Sequence, residues 1–202
     1  MPLGYQIVQV TVHESNPLDS IRVNRLTGIF GQAEEFDFNR WGDLGLGEWA
    51  DRTIETYYVS GQVDLSTEYF RHRVMANPEF KLTAVESPTR SSLLDSLRSE
   101  ANAIGISGYL GSGFQGLKPL ALSSDTTETP IAPDSESVHF GAYPLRIPLF
   151  LYFQSDLKDR VREFLTLCYS EPFRQSLVDA GVMPLPSSVT DRILLDIRLG
   201  NN

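Results

Sequence analysis

The run Asp64, Leu65, Ser66 and Thr67 places two hydroxyls and a carboxylate at the expected start of a helix that directly follows a strand. Free N–H groups and the positive end of the helix dipole gather at such a point, which suits it to anions. The simpler account is that Asp64 caps the helix by accepting from those N–H groups, and the residues alone favour it, since an aspartate would also repel a bound anion. Other reactive types are less organised. His13, His72 and His139 are scattered, with no His or Cys at metal-ligand spacing, so no metal site is expected. Cys168 is the only cysteine, which excludes an internal disulfide and a cysteine zinc centre. Ser60, Ser66 and Ser107 lack a Gly-x-Ser-x-Gly context, leaving a hydrolase unsupported, and no constellation calls for an enzyme or a cofactor. Gly108, Gly111, Gly113 and Gly116 are not followed by Gly-Lys-Ser/Thr, so they read as a hairpin loop and not as a phosphate-cradling one.

The elements that would position these residues alternate in type. Ile7 to Val12 is apolar and β-branched, the look of a strand covered on both faces in the middle of a sheet. Val23, Leu26, Ile29 and Phe30 recur at helical spacing, with Asp19 or Ser20 as N-cap and Gly31 as a stop. Trp41 and Trp49 bracket a glycine-rich stretch that reads as a compact loop held by aromatics. Thr53 to Val59 reads as a strand, and Leu65, Tyr69, Phe70 and Val74 as the helix capped by Asp64. A second strand–helix pair follows at Lys81 to Val85 and Leu93 to Ala101. Ala103 to Tyr109 and Leu117 to Leu122 read as strands, Ser123 to Ser137 as the least regular part, and Leu149 to Phe153 as a short buried strand. Helices are expected from Leu157 to Cys168, around Phe173 to Leu177 up to Gly181, and around Ile193 to Ile197. Strands alternating with helices indicate an α/β architecture.

The 202 residues carry 17 Lys plus Arg against 26 Asp plus Glu, a net charge of −9, with no basic cluster. That balance argues against nucleic-acid binding through phosphate neutralisation. The longest apolar run, Ile147 to Phe153, is far below the roughly 20 residues of a membrane helix, so no membrane insertion is expected. Met1 to Val12 contains no basic region followed by an apolar stretch and a small-residue cleavage site, hence no export signal is expected within it.

Taken in order, three stretches resemble the phosphate ABC transporter substrate-binding proteins, which have the type 2 periplasmic binding protein fold. Leu26 to Leu44, LTGIFGQAEEFDFNRWGDL, is similar to the family's helix ending in Ile-Phe-x-Gly, followed by a tryptophan and Asp-Leu. Asn102 to Gly111, NAIGISGYLG, resembles its Ala-Ile-Gly-Tyr strand, and Gly141 to Tyr152, GAYPLRIPLFLY, resembles the segment that crosses back between lobes. The closing Glu171 to Leu185, EPFRQSLVDAGVMPL, also looks like the family's last helix and Gly-x-x-Pro-Leu ending.

The resemblance implies one complete lobe over residues 15–141 and an incomplete second lobe built from residues 1–14 and 142–202, lacking the family's opening strand–helix units. It implies a solute-binding protein with no catalytic role, in a periplasmic or extracytoplasmic location. Its ligand would be phosphate or a similar small anion lying between the lobes near Ser60, Gly61, Asp64, Ser66 and Thr67. A membrane transporter would be its partner, and a homodimer, strand exchange or a partner segment would cover the open lobe. The family's Arg and, four residues on, Ser-Gly-Thr fall at Ser60 and at Asp64, Leu65 and Ser66, where only the last hydroxyl survives. Hydrogen bonds to charged groups contribute about 1.5 to 3 kcal/mol each, so losing the arginine and a donor loop costs several decades of affinity. The alternative is an interaction or sensory domain that keeps the fold without a small-molecule site.

Overall fold

A computed structural model describes residues 1–32, 36–62, 64–75, 79–111, 115–124, 128–154 and 160–199. The apolar opening segment forms two strands, not one. Strand β1 (Pro2–Ile7) is the middle strand of a three-stranded sheet, antiparallel to β9 (Arg146–Phe150) on one side and β10 (Val182–Pro184) on the other. Strand β2 (Gln9–His13) lies between β6 (Ala103–Ser107) and β7 (Leu117–Pro119) in a five-stranded sheet. Residues 9–13, grouped above with 1–14, therefore pair in the larger sheet. The chain passes between sheets at Val8, whose N–H donates to Leu145 O at 3.0 Å and whose carbonyl accepts from the Tyr143 hydroxyl at 2.8 Å. Both strands are covered on two faces: Ile7, Val8, Val10 and Val12 are fully buried, and so is the polar Gln9.

The larger sheet is completed by β4 (Glu55–Val59), parallel to both β6 and β5 (Val85–Ser87), giving the order β5-β4-β6-β2-β7. Since β2 separates β6 from β7, the glycine-rich Gly108 to Gly116 does not close a hairpin, contrary to the sequence reading; Gly113 lies outside the described residues. Leu117 to Leu122 likewise splits into β7 and β8 (Ala121–Ser123), the latter parallel to β3 (Ser20–Arg22). That pairing draws Ser20 into a ladder, so α1 (Val23–Phe30) starts after Arg22 without a side-chain cap from Asp19 or Ser20, and ends at Gly31 as expected. The expected strand at Lys81 to Val85 is mostly a turn, closed by Ala84 N–H to Lys81 O, with Leu82 98% exposed. Residues Trp41–Leu44 and Gly47–Trp49 form two 3-10 turns in which Trp41 is buried, donates to Asn102 O at 3.2 Å and meets Trp49 edge-on.

Helices α2 (Leu65–Arg73) and α3 (Arg90–Ser99) follow β4 and β5 and pack on the larger sheet through Phe70, Leu93 and Leu97. A short helix, α4 (Ser135–His139), capped by Asp134, interrupts the stretch expected to be irregular. Among the described residues β9 is paired on one side and ends at Phe150, and Phe150 and Tyr152 are exposed, so Leu149 to Phe153 is the end of an edge strand running into irregular chain and not a buried strand. Helices α5 (Arg162–Cys168), α6 (Glu171–Asp179) and α7 (Ser187–Leu199) complete the smaller-sheet side. Leu157, expected in α5, lies outside the described residues. Among the described residues no helix is long and apolar enough to cross a membrane.

Candidate functional site

Strands β4, β5 and β6 run parallel, so their carboxyl ends open together, at Ser60, Ser87 and Ser107. Helices α2 and α3 start just beyond the first two, with Asp64 and Thr89 as N-caps. Crevices at the carboxyl ends of parallel strands, lined by helix starts, are the ligand sites of open α/β sheets.

Asp64 sits at the centre. Its side chain is only 1% exposed. Oδ1 accepts from Ser66 N–H at 3.0 Å, from the Ser66 hydroxyl, and from the Gln6 amide at 3.2 Å. Oδ2 accepts from Gly108 N–H at 2.8 Å and lies 3.3 Å from the Arg90 guanidinium Nε. Arg90 in turn donates through Nη1 to Asp179 O, at the end of α6, at 2.8 Å. The cap read from the sequence is thus present, and its carboxylate holds together donors from both sheets.

Backbone geometry makes this closeness possible. A Cβ on Gly108 would stand 2.9 Å from both Gln6 Nε2 and Gly181 O, so any side chain there would wedge the cradle apart. Gly181 has φ +76°, a left-handed conformation costly for other residues, and it ends α6 where Tyr109 N–H donates to its carbonyl at 2.9 Å.

The five residues singled out from the sequence divide between two places. Asp64 and the fully buried Ser66 belong to the cradle. Ser60, Gly61 and Thr67 border a neighbouring cavity of about 580 Å³. The Thr67 hydroxyl is committed to Val59 O at 2.7 Å, tying α2 to β4. The cavity is lined by Glu68, Glu79 and Glu86 as well as Arg71 and Lys81, and has Tyr58 stacked on Phe80 at 3.9 Å. Lys81 Nζ is taken up by Asp37 at 2.6 Å and Phe38 O at 2.9 Å, while Arg71 pairs with Glu68 at 3.1 Å. Burial, then the charge of Glu86, pushes the Tyr58 phenol above its ordinary range, against an opposing effect of Arg71. A cavity with three carboxylates and engaged cations is poorly suited to an anion, whereas in the cradle amide, hydroxyl and guanidinium donors converge on one negative charge, that of Asp64.

Gln6, Arg90 and Gly108 escaped the sequence reading. Arg90 did leave a signal: it opens α3, where the helix dipole disfavours a cation unless an anion faces it. Its guanidinium stands against Asp64, where the sequence offers only Ser60 nearby in the chain. The histidines are used otherwise, His139 Nδ1 meeting the Tyr5 hydroxyl at 2.9 Å. Among the described residues no three His, Cys, Asp or Glu side chains cluster as metal ligands.

Two larger sheets joined by two crossings of the chain, with donors gathered at the strand ends, define the type 2 periplasmic-binding-protein architecture, here in partial form. Known proteins agree with that class. The chain is 26% identical over 208 residues to the phosphate-binding protein PstS of Pseudomonas aeruginosa, covering 98% of this chain and 64% of that protein. Among solved structures it resembles a possible phosphate-binding protein from Planctomyces limnophilus, with TM-score 0.72 and 21% identity over 100% of this chain and 72% of the other. It also resembles a putative phosphate ABC transporter substrate-binding protein with bound phosphate from Clostridium perfringens, with TM-score 0.66 and 15% identity over 92% of this chain and 71% of the other. The chain thus has the fold of the phosphate-binding proteins, is similar to them in sequence along nearly its whole length, and spans under two thirds of PstS. No protein-family model matches it.

Proposed function

We propose that this chain is the anion-gripping part of a solute-binding protein of the phosphate-receptor type, serving an ABC transporter in the membrane from an extracytoplasmic location. Its ligand is phosphate or a closely similar tetrahedral oxyanion, held where residues 15–141, joined by β2, meet a second lobe formed by β1 and 142–202. The carrying observation is the cradle at the ends of β4 and β6, where Ser66, Gly108, Arg90 and Gln6 direct donors at one buried point. Ser66 is the ligand contact kept from the sequence reading; Ser60, Gly61 and Thr67 border the neighbouring cavity and are not contacts in this reading. The chain performs no catalysis in this reading. A second copy of the chain, covering the open lobe, remains part of this reading.

Calorimetric titration with orthophosphate, and with sulfate as control, tests the reading. Without the arginine at position 60 and with a carboxylate in the cradle, the expected dissociation constant for phosphate is on the order of millimolar, several decades weaker than a full receptor site. No heat and no thermal stabilisation at about 50 mM phosphate would contradict it and favour an interaction domain without a small-molecule site. The mass in solution, recorded alongside, checks the dimer.

A further inference from the structure

We infer that the Asp64 carboxylate is a tethered anion: it occupies the oxyanion position of the cradle, so that an inorganic tetrahedral oxyanion binds only by displacing it. This rests on the reading of the cradle as an anion site and names what governs access to it.

A helix cap uses one oxygen and the N–H groups of the first turn. Oδ1 of Asp64 does that through Ser66 N–H. Oδ2 has a different set of partners, the Gly108 N–H beyond β6 and the Arg90 guanidinium at the start of α3, and neither belongs to the helix being capped. Gln6 reaches the same carboxylate from the other sheet. Amide, hydroxyl and guanidinium donors converging from separate elements on one buried charge is the arrangement that proteins build for oxyanions.

A second observation shows that the carboxylate fits this cradle incompletely. Arg90 Nε is buried and has no hydrogen-bond partner, although it stands 3.3 Å from Oδ2. The guanidinium's charge is met by Oδ2 and its Nη1 by Asp179 O, so it is this one N–H that lacks an aligned acceptor, and natural structures rarely leave a buried N–H in that state. A carboxylate presents its lone pairs in one plane, whereas a tetrahedral oxyanion presents four oxygens in three dimensions and gives Nε an acceptor as well. Two anions cannot share the point, so entry of one requires the departure of the other.

Titration of orthophosphate into the full chain, as wild type, Asp64→Ser, Asp64→Gly and Asp64→Ser/Arg90→Gln, tests this, with circular dichroism recording the fold of each. Serine and glycine are both accepted at an N-cap, so either single variant reports if the other does not fold. The expected result is phosphate binding tighter by about tenfold or more in the single variants, the equivalent of one hydrogen bond to a charged group, with the gain lost when Arg90 is also replaced. Equal phosphate affinity in wild type and single variants overturns the inference and leaves the receptor reading standing. Silence from folded wild type and folded variants alike overturns both. A gain that survives Arg90→Gln overturns the inference, because the anion then sits elsewhere. Failure of both single variants to fold also overturns it, since Asp64 is then a structural cap that no ligand can displace.

Discussion

At the scale of single residues, the site is a contest between charge and space. Gly108 gives the cradle its room: in Gly108→Ala the added methyl meets Gln6 Nε2, Gly181 O and Asp64 Oδ1 at 2.9 to 3.0 Å. Overpacking of this kind destabilises by about 1–3 kcal/mol, which urea unfolding should show as a lower midpoint at unchanged slope; an unaltered midpoint would mean the cradle yields. Arg90 compensates a carboxylate that is 1% exposed while being itself 21% exposed. Arg90→Gln should therefore destabilise by about 1–3 kcal/mol, less than the loss from a fully buried pair because Asp64 keeps its hydrogen bonds. Of this site the sequence revealed the cap and Ser66, because a strand running into Asp-x-Ser is a local pattern. Gln6, Arg90 and Gly108 lie 58, 26 and 44 positions from Asp64, and only the parallel pairing of β4 with β5 and β6 brings the latter two beside it. No periodicity announces such a meeting.

Among the elements, α3 and α6 were legible from their apolar period and α2 from its Asp64 cap more than from its weakly apolar face, where Leu65 is exposed. Helices α2, α3 and α6 lie where Asp64, Leu93, Leu97 and Phe173 placed them. Short strands were not: Val85–Ser87 owes its pairing to β4 and not to its own composition, and the Lys81 turn before it is set by the lysine's bonds to Phe38 and Asn39. The split of the opening segment at Val8 was hidden for the same reason, since both halves are equally apolar. Two tyrosines pin that segment. Tyr143 donates to Val8 O at 2.8 Å, and burial holds its phenol far above the ordinary range. Tyr169 donates to Pro2 O at 2.7 Å, and burial, then neighbouring Cys168, pushes it up to about 12. A raised folded-state value means that the native state holds the proton longer than the unfolded chain, so this stability is fully present below pH 10 and is lost as the pH climbs towards about 12. Melting temperature recorded across that window should fall, and less steeply in Tyr169→Phe; parallel slopes would refute the assignment. Trp41, buried and bonded to Asn102 O, anchors the loop between α1 and β4, and Trp41→Ala should cost about 3–5 kcal/mol in denaturant unfolding.

For the molecule as a whole, the two sheets meet through a polar seam and not through apolar packing alone. Gln6 to Asp64, Arg90 to Asp179 O and Tyr109 N–H to Gly181 O link residues of the larger-sheet side to β1 and to the turn between α6 and β10. The Asp64 carboxylate occupies the middle of that seam and takes up its donors. Removing one strut, as in Gln6→Ala, should speed hydrogen exchange at Gly108 and Tyr109 while leaving β2 protected; uniform exchange changes would mean that the seam has no separate motion. The amide and guanidinium proton shifts of the labelled wild-type chain during an orthophosphate titration report most directly where an anion goes. Saturable shifts at Ser66 N–H, Gly108 N–H and Arg90 Nε–H are predicted, with the cavity residues Phe80 and Glu86 unmoved. Shifts confined to the cavity, or none at any phosphate concentration, would contradict the cradle as the anion site.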